Sequence, residues 1–271
     1  MSSSSLTLAL QQALESHAHR KILRYLPTPT LSTPSPSSTP TDFTSNDYLS
    51  LTTSPLLHTH VLRTLQTSPH ILGLGGSRLL VNPEVHDKFE GRVERFFNLP
   101  EGDEEGRSVL LFNSGYDANV SFFSMIPQPE DAVVYDKLVH ASVHDGIRGG
   151  CRAQTRVSFR HNDVGDLKSV LRSLSLQQQQ GGKGKRGRTV FVAIESLYSM
   201  DGTFAPLKAF VDVSDEVFTG EEAYLVVDEA HATGVYGPKG HGRVVLEGLE
   251  GHPRVLARLC TFGKALGGSG G

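Results

Sequence analysis

Lys264 stands in Thr261-Phe262-Gly263-Lys264-Ala265-Leu266-Gly267-Gly268, a lysine among small residues directly after an apolar run. A lysine amine attacks carbonyl groups only when partial desolvation leaves it free to lose its proton, and small neighbours let a flat molecule approach the backbone. Upstream, Asp228-Glu229-Ala230-His231 closes another apolar run, with a histidine three residues after the carboxylate. A buried carboxylate stays ionised only beside a cation, and a protonated pyridine nitrogen is one such partner. The same four letters spell the box in which one class of ATP-dependent helicases holds magnesium. That reading requires a Gly-x-x-x-x-Gly-Lys-Ser/Thr loop upstream. The chain has none, and Gly263-Lys264-Ala265 lies downstream and lacks the hydroxyl for magnesium.

Two further segments carry weaker signals. Phe112-Asn113-Ser114-Gly115-Tyr116-Asp117 opens a helix, whose free backbone N–H groups and dipole suit an anion such as phosphate, although most Ser-Gly turns are only helix starts. His140, in Asp136-Lys137-Leu138-Val139-His140-Ala141-Ser142, follows an apolar run, where an imidazole can stack on a planar ring or move a proton. Taken alone, it reads equally as a structural histidine.

These residues need a frame that brings them together. Short apolar runs at Ser108–Phe112, Ala132–Tyr135, Arg156–Phe159, Val190–Ile194, Tyr224–Val227 and Val255–Thr261 alternate with helix-length segments. Such runs indicate parallel strands buried on both faces, hence a wound α/β sheet. Ligands of these sheets bind beyond the carboxyl ends of the strands, where the residues above fall.

Composition sets the outer limits. The 271 residues carry a net charge of -3 and 38% hydrophobic residues, enough for one large core. Basic residues are scattered apart from Lys183, Lys185, Arg186 and Arg188, so nucleic acid is not an expected partner. No run approaches the roughly 18 apolar residues of a membrane span, so no membrane association is expected. Cys151 and Cys260 form no metal or redox spacing, which points to a reducing, intracellular compartment, with the cytoplasm expected. The Ser-rich, basic N-terminus is also compatible with a mitochondrial transit peptide. Its apolar spacing favours an amphipathic helix over Leu6–Leu26. The expected organisation is an N-terminal helix over 1–26, a Pro/Ser/Thr linker over 27–41 and a large domain over 42–271, with Gln177–Arg188 as a solvated loop.

From Ser45-Asn46-Asp47-Tyr48-Leu49 onward the chain resembles the α-oxoamine synthases, pyridoxal-phosphate (PLP) enzymes of fold type I. The resemblance is carried in order by Gly75-Gly76-Ser77-Arg78-Leu79, Asn113-Ser114-Gly115-Tyr116, His140-Ala141-Ser142, His161-Asn162-Asp163, Ser199-Met200-Asp201-Gly202, Asp228-Glu229-Ala230-His231 and Thr261-Phe262-Gly263-Lys264. It implies the fold type I large domain, a mainly parallel sheet flanked by helices. It also implies that Lys264 holds PLP as a Schiff base, Asp228 pairs with the pyridine nitrogen and His140 stacks on the ring. His231 and Ser199 would lie beside the ring hydroxyl, and Ser114, Gly115, Tyr116 and Thr261 around the phosphate. The implied reaction condenses a small amino acid with an acyl-CoA, Lys264 serving as base at the amino acid Cα and His140 as donor to the thioester oxygen. The N-terminal helix and Phe159-Arg160-His161-Asn162-Asp163 most resemble the branch that joins alanine to pimeloyl-CoA on the way to biotin. In that branch Arg24 is the candidate partner for the far carboxylate. The branch resembling 2-amino-3-ketobutyrate CoA ligase and a non-catalytic protein of the same fold remain alternatives. Departures from the pattern are Gly73-Leu74-Gly75-Gly76-Ser77, Asn82-Pro83 and the close of the sequence at Gly271, where the family continues into a C-terminal small domain. The family also implies a homodimer for the full-length chain.

Overall fold

The structure is a computed structural model that describes residues 4–26, 42–69, 71, 75–81, 84–97, 99, 108–180, 187–220 and 222–271. The expected linker over 27–41, Gly73, Leu74, Asn82, Pro83 and most of the Gly- and Lys-rich part of the loop lie outside the described residues. The chain divides into two compact units, Met1–Phe43 and Thr44–Gly271.

The first unit contains helix α1, Ser5–His19, capped by the Ser4 hydroxyl, which accepts from the Thr7 amide. The expected helix to Leu26 is too long. Lys21 takes a left-handed φ of 57°, and the amides of Lys21 and Ile22 turn back to the carbonyls of Ala18 and His17. This is the Schellman closure, which satisfies the last carbonyls and ends the helix. Arg24 therefore lies beyond the helix, on an exposed segment, and not on it as expected.

The second unit begins with α2, Pro55–Thr67, and α3, Glu84–Phe96, and then winds an α/β sheet. Helix α4, Gly115–Met125, precedes β1, Ala132–Asp136. Then come α5, Ala141–Gly149; β2, Thr155–Phe159; α6, Val164–Gln180; β3, Val190–Glu195; α7, Leu207–Val217; β4, Ala223–Asp228; the short α8, Arg243–Leu246; and β5, Val255–Leu259. The strands lie in the order β2-β1-β3-β4-β5, all parallel. The crossover helices flank the sheet, α4 packing on α5 and α6 on α7, which is why β3 is buried along its whole length. Phe123, Leu167, Leu171, Ile194, Leu207, Phe210 and Leu225 are all buried. Burial of each such side chain contributes about 1.5–3 kcal/mol.

One expected strand is not formed. The run Ser108–Phe112 has no ladder of its own, since only Phe112 exchanges backbone hydrogen bonds, with Gly271, beside a bridge between Ser114 and Gly270. A ladder requires consecutive partners, and among the described residues this run has a single pair. Its apolar side chains instead line a cavity of about 740 Å³ with Phe97, Phe122 and Leu259. No helix among the described residues is long and apolar enough to cross a membrane.

Candidate active site

The carboxyl ends of β1, β3, β4 and β5 deliver the site. Asp228 is the last residue of β4 and is 7% exposed. Its carboxylate accepts from the Asn119 side-chain amide at 2.8 Å and from the Ala230 backbone amide at 2.9 Å. Two donors hold the charge in place and fix the direction of its remaining lone pairs. His231, three residues on, has its Nε2 2.7 Å from Lys264 Nζ and its Nδ1 2.7 Å from the Tyr48 hydroxyl. Burial, then the charges of Lys264 and His140, push the His231 pKa down to about 4, so the ring is neutral near pH 7.

Lys264 is half-buried, and desolvation lowers its pKa against the opposing pull of the Asp228 and Glu195 charges. A lysine in this state yields a free amine at lower pH than one in water. Ala265 is buried beneath it, and Gly267 lies against Leu51 and Thr52, so the small residues noted in the sequence are places of close packing.

His140 caps α5, its Nδ1 accepting from the Ser142 amide at 3.2 Å and lying 2.7 Å from the Ser142 hydroxyl. An Nδ1 that accepts a backbone amide carries no proton, so the neutral ring bears its proton on Nε2. The Asn119 amide also reaches Ser142 Oγ at 3.0 Å, and thereby ties His140 to Asp228. The Tyr116 ring stands edge-on to His140, with centroids 6.0 Å apart, while its hydroxyl donates to Asp145 and not toward the start of α4.

At that start, the Ser114 hydroxyl accepts from the Asp117 amide and donates to the Asp117 carboxylate, a conventional cap. Gly115 packs on Thr261, where a Cβ would come within 3.3 Å of the threonine Cβ. The Thr261 hydroxyl donates to the Gly270 carbonyl at 3.2 Å. Ser114, Gly115 and Thr261 are thus brought together. Ser199 is exposed on the turn after β3, with its backbone amide directed to Glu195. Arg24 belongs to the first unit.

Glu195, Asn119 and Tyr48 are site residues that the sequence expectations lack. Glu195 ends β3 in direct register with Asp228, is 2% exposed, and keeps Oε1 buried without a hydrogen-bond partner among the described residues. Burial, reinforced by the Asp228 charge, raises its pKa to about 8, with Lys264 and the amides of Ser199 and His140 opposing the rise. Glu229, between Asp228 and His231, does not face the site. It accepts from the amides of Arg243 and Val244, at 2.6 and 3.0 Å, and from Arg258, and so anchors α8 to β5. His161 likewise serves the frame, bridging Asp136 at the end of β1 to Thr203. Among the described residues no group of three His, Cys, Asp or Glu side chains is placed to hold a metal ion. The apolar cavity beside Ser108–Phe112 shares Asn119 with the site but does not reach Lys264.

Residues 38–271 match the family model described as aminotransferase class I and II. The chain belongs to that family. It is 47% identical over 238 residues to an 8-amino-7-oxononanoate synthase of Emericella nidulans, covering 87% of this chain and 55% of the relative. It is 39% identical to the aminoacyl transferase sphA of Byssochlamys spectabilis, covering 84% and 47%. Among solved structures, a serine palmitoyltransferase from S. paucimobilis with bound PLP–myriocin aldimine superposes with a TM-score of 0.66 and 30% identity, over 83% of this chain and 50% of that one. The chain spans about half the length of the curated relatives it matches. The expected fold class, a parallel sheet flanked by helices as in fold type I PLP proteins, is the one found.

Proposed function

We propose that this family member is the cofactor-binding part of a PLP-dependent acyltransferase that condenses a small amino acid with an acyl-CoA. The observation that carries the reading is the meeting of a half-buried lysine of lowered pKa with a fixed, buried carboxylate, the neutral His231 and the helix-capping His140 at one sheet edge. The residues fit the cofactor chemically. Asp228 offers a held negative charge for a ring nitrogen cation, Ser114, Gly115 and Thr261 offer amides and hydroxyls for a phosphate, and Lys264 offers the amine. PLP, when bound, supplies an electron sink for charge developing at the amino acid Cα.

This chain's own residues do the rest. Asn119 and the Ala230 amide orient Asp228, so the carboxylate need not reorganise when it meets a cation. Lys264 Nζ, partly desolvated, is suited to take a proton from the substrate carbon and return it. His140, with Nδ1 committed to Ser142, presents Nε2–H as a donor to a thioester oxygen. His231 and Ser199 would lie on the side of a ring hydroxyl, Tyr116 stands beside His140, and Arg24 is the candidate for a distal carboxylate. The similarity to a protein named 8-amino-7-oxononanoate synthase supports alanine and pimeloyl-CoA as the proposed substrates, and the family resemblance implies an intracellular homodimer as the working form.

The test uses the 271-residue protein for binding and a form extended to the length of its relatives for turnover. With PLP the 271-residue protein gains an absorbance band near the visible edge, and Lys264→Ala loses it; an unchanged spectrum in the variant overturns the assignment of Lys264. Rates with pimeloyl-, acetyl-, succinyl- and palmitoyl-CoA favour pimeloyl-CoA. A clear preference for palmitoyl-CoA refutes that choice and leaves the reaction class standing.

A further inference from the structure

Tyr48 lies in the segment after Thr44, held by a turn in which the Asp47 carboxylate accepts from the Leu51 and Thr52 amides at 2.9 and 3.2 Å. Leu51 and Thr52 pack against Gly267, three residues beyond Lys264. This turn fixes the Tyr48 hydroxyl between two groups. It donates to the Asn46 side-chain oxygen at 3.0 Å, and it lies 2.7 Å from His231 Nδ1. On the far side of the ring, His231 Nε2 is 2.7 Å from Lys264 Nζ.

Only one assignment of protons makes both Tyr48 contacts hydrogen bonds. An amide oxygen has no proton to give, so the single hydroxyl proton of Tyr48 goes to Asn46. The hydroxyl then meets His231 as an acceptor, and Nδ1 must carry the ring proton. In the neutral ring Nε2 is then bare, and it accepts from the Lys264 amine. We propose that Tyr48 is a positioning residue that locks His231 in the Nδ1–H tautomer and thereby turns Nε2 into a fixed acceptor for Lys264.

The consequence lies in the state of the lysine. A bare Nε2 at hydrogen-bond distance favours the ammonium form and aligns the amine. An Nε2–H in the same place would meet only a neutral amine. Asp228 and Glu195 also face Lys264, and His140 and Lys264 face His231. Those groups set the background charge, while Tyr48 selects which nitrogen faces the lysine. The neutral state of His231 near pH 7 agrees with this arrangement. The importance given to Lys264 rests on the proposed function, whereas the tautomer does not.

The experiment uses the full 271-residue chain freed of cofactor. Nitrogen-15 spectra of the histidine rings, with His231 assigned by its loss in His231→Asn, report the tautomer. The pH midpoint of Lys264 acylation by acetic anhydride, read by mass spectrometry, reports the lysine. Wild type shows His231 protonated on Nδ1 alone. In Tyr48→Phe the ring loses its acceptor, and in Asn46→Ala the Tyr48 proton is free to turn toward Nδ1. Both variants therefore show a mixture of tautomers and a Lys264 midpoint lower by about one pH unit, the size expected for losing one hydrogen bond to a charged group. The second variant leaves the tyrosine ring in place and keeps the test alive should the first fail to fold. An Nε2–H ring in wild type, or a midpoint unmoved in both variants, overturns the proposal. A protein with the expected tautomer that never binds PLP refutes the proposed function and leaves this inference intact.

Discussion

Replacing Glu195 by Gln tests the electrostatics of the site while keeping an oxygen for the Ser199 and His140 amides. Glu195 and Asp228 end neighbouring strands in register, and both are buried. The Glu195 pKa rises from 4.5 to about 8, through burial first and the Asp228 charge second. In the unfolded chain the carboxyl ionises near the ordinary 4.5, while in the fold it stays protonated up to about pH 8. Between those values the folded state binds one proton more than the unfolded state, so stability falls as pH rises across this window. Each pH unit of the gap corresponds to about 1.4 kcal/mol, which bounds the whole effect at about 5 kcal/mol. Relaxation around Lys264 should leave about 2–4 kcal/mol of it. Glutamine cannot ionise. Urea unfolding of both proteins between pH 5 and 9 should therefore show curves that diverge as pH rises, with the variant gaining on the wild type, whatever constant offset the amide introduces. A difference independent of pH would refute the reasoning, because it would mean that water or a counter-charge reaches Glu195 and holds it ionised.

Gly242 has φ 94°, and a Cβ there would lie 2.5 Å from Glu229 Oε2, so Gly242→Ala should cost about 2–4 kcal/mol and lower the melting temperature by roughly 5–15 °C in a thermal scan. Glu229→Ala removes the acceptor for the Arg243 and Val244 amides and leaves the mostly buried Arg258 without its carboxylate, a loss of about 3–5 kcal/mol in urea unfolding. A cost below about 1 kcal/mol would mean that solvent compensates Arg258.

Lys264, Asp228, His231 and His140 were legible because each follows an apolar run, and in a parallel sheet every such run ends on the same edge. Glu195 carries no comparable mark. It is the last letter of its own apolar run, and it matters only because β3 and β4 pair in a register that sets it beside Asp228. Tyr48 lies 183 residues from His231 in the chain, so no spacing rule joins them. Asn119 hides in the second turn of α4, one amide among polar residues, until the helix docks and carries it to Asp228. The run Ser108–Phe112 has the composition of a strand, but strand formation is a property of pairs, and a run reads the same whether or not its neighbours are present. The end of α1 escapes the apolar spacing for a local reason: the left-handed residue that stops it is Lys21, where a glycine or asparagine would announce the stop.

The strand order explains why these groups form one site. Moving across the sheet through β1, β3, β4 and β5, the strand ends present His140, Glu195, Asp228 and, just past β5, Lys264, so chain order and spatial order coincide. β2 lies at the outer edge, and the histidine that follows it, His161, is spent on Asp136 and Thr203. The row therefore alternates a donor, a neutral-leaning acid, a fixed carboxylate and a lysine. With Glu195 protonated, one negative charge at Asp228 faces one amine at Lys264, and among the described residues no direct ion pair joins the two. A flat cation set between β4 and β5 would satisfy Asp228 without displacing Asn119 or the Ala230 amide, and would leave Lys264 free to lose its proton. The same geometry offers nothing comparable to a neutral ring. The chemistry favoured at this edge is that of a ligand carrying positive charge at the Asp228 end and a carbonyl carbon at the Lys264 end.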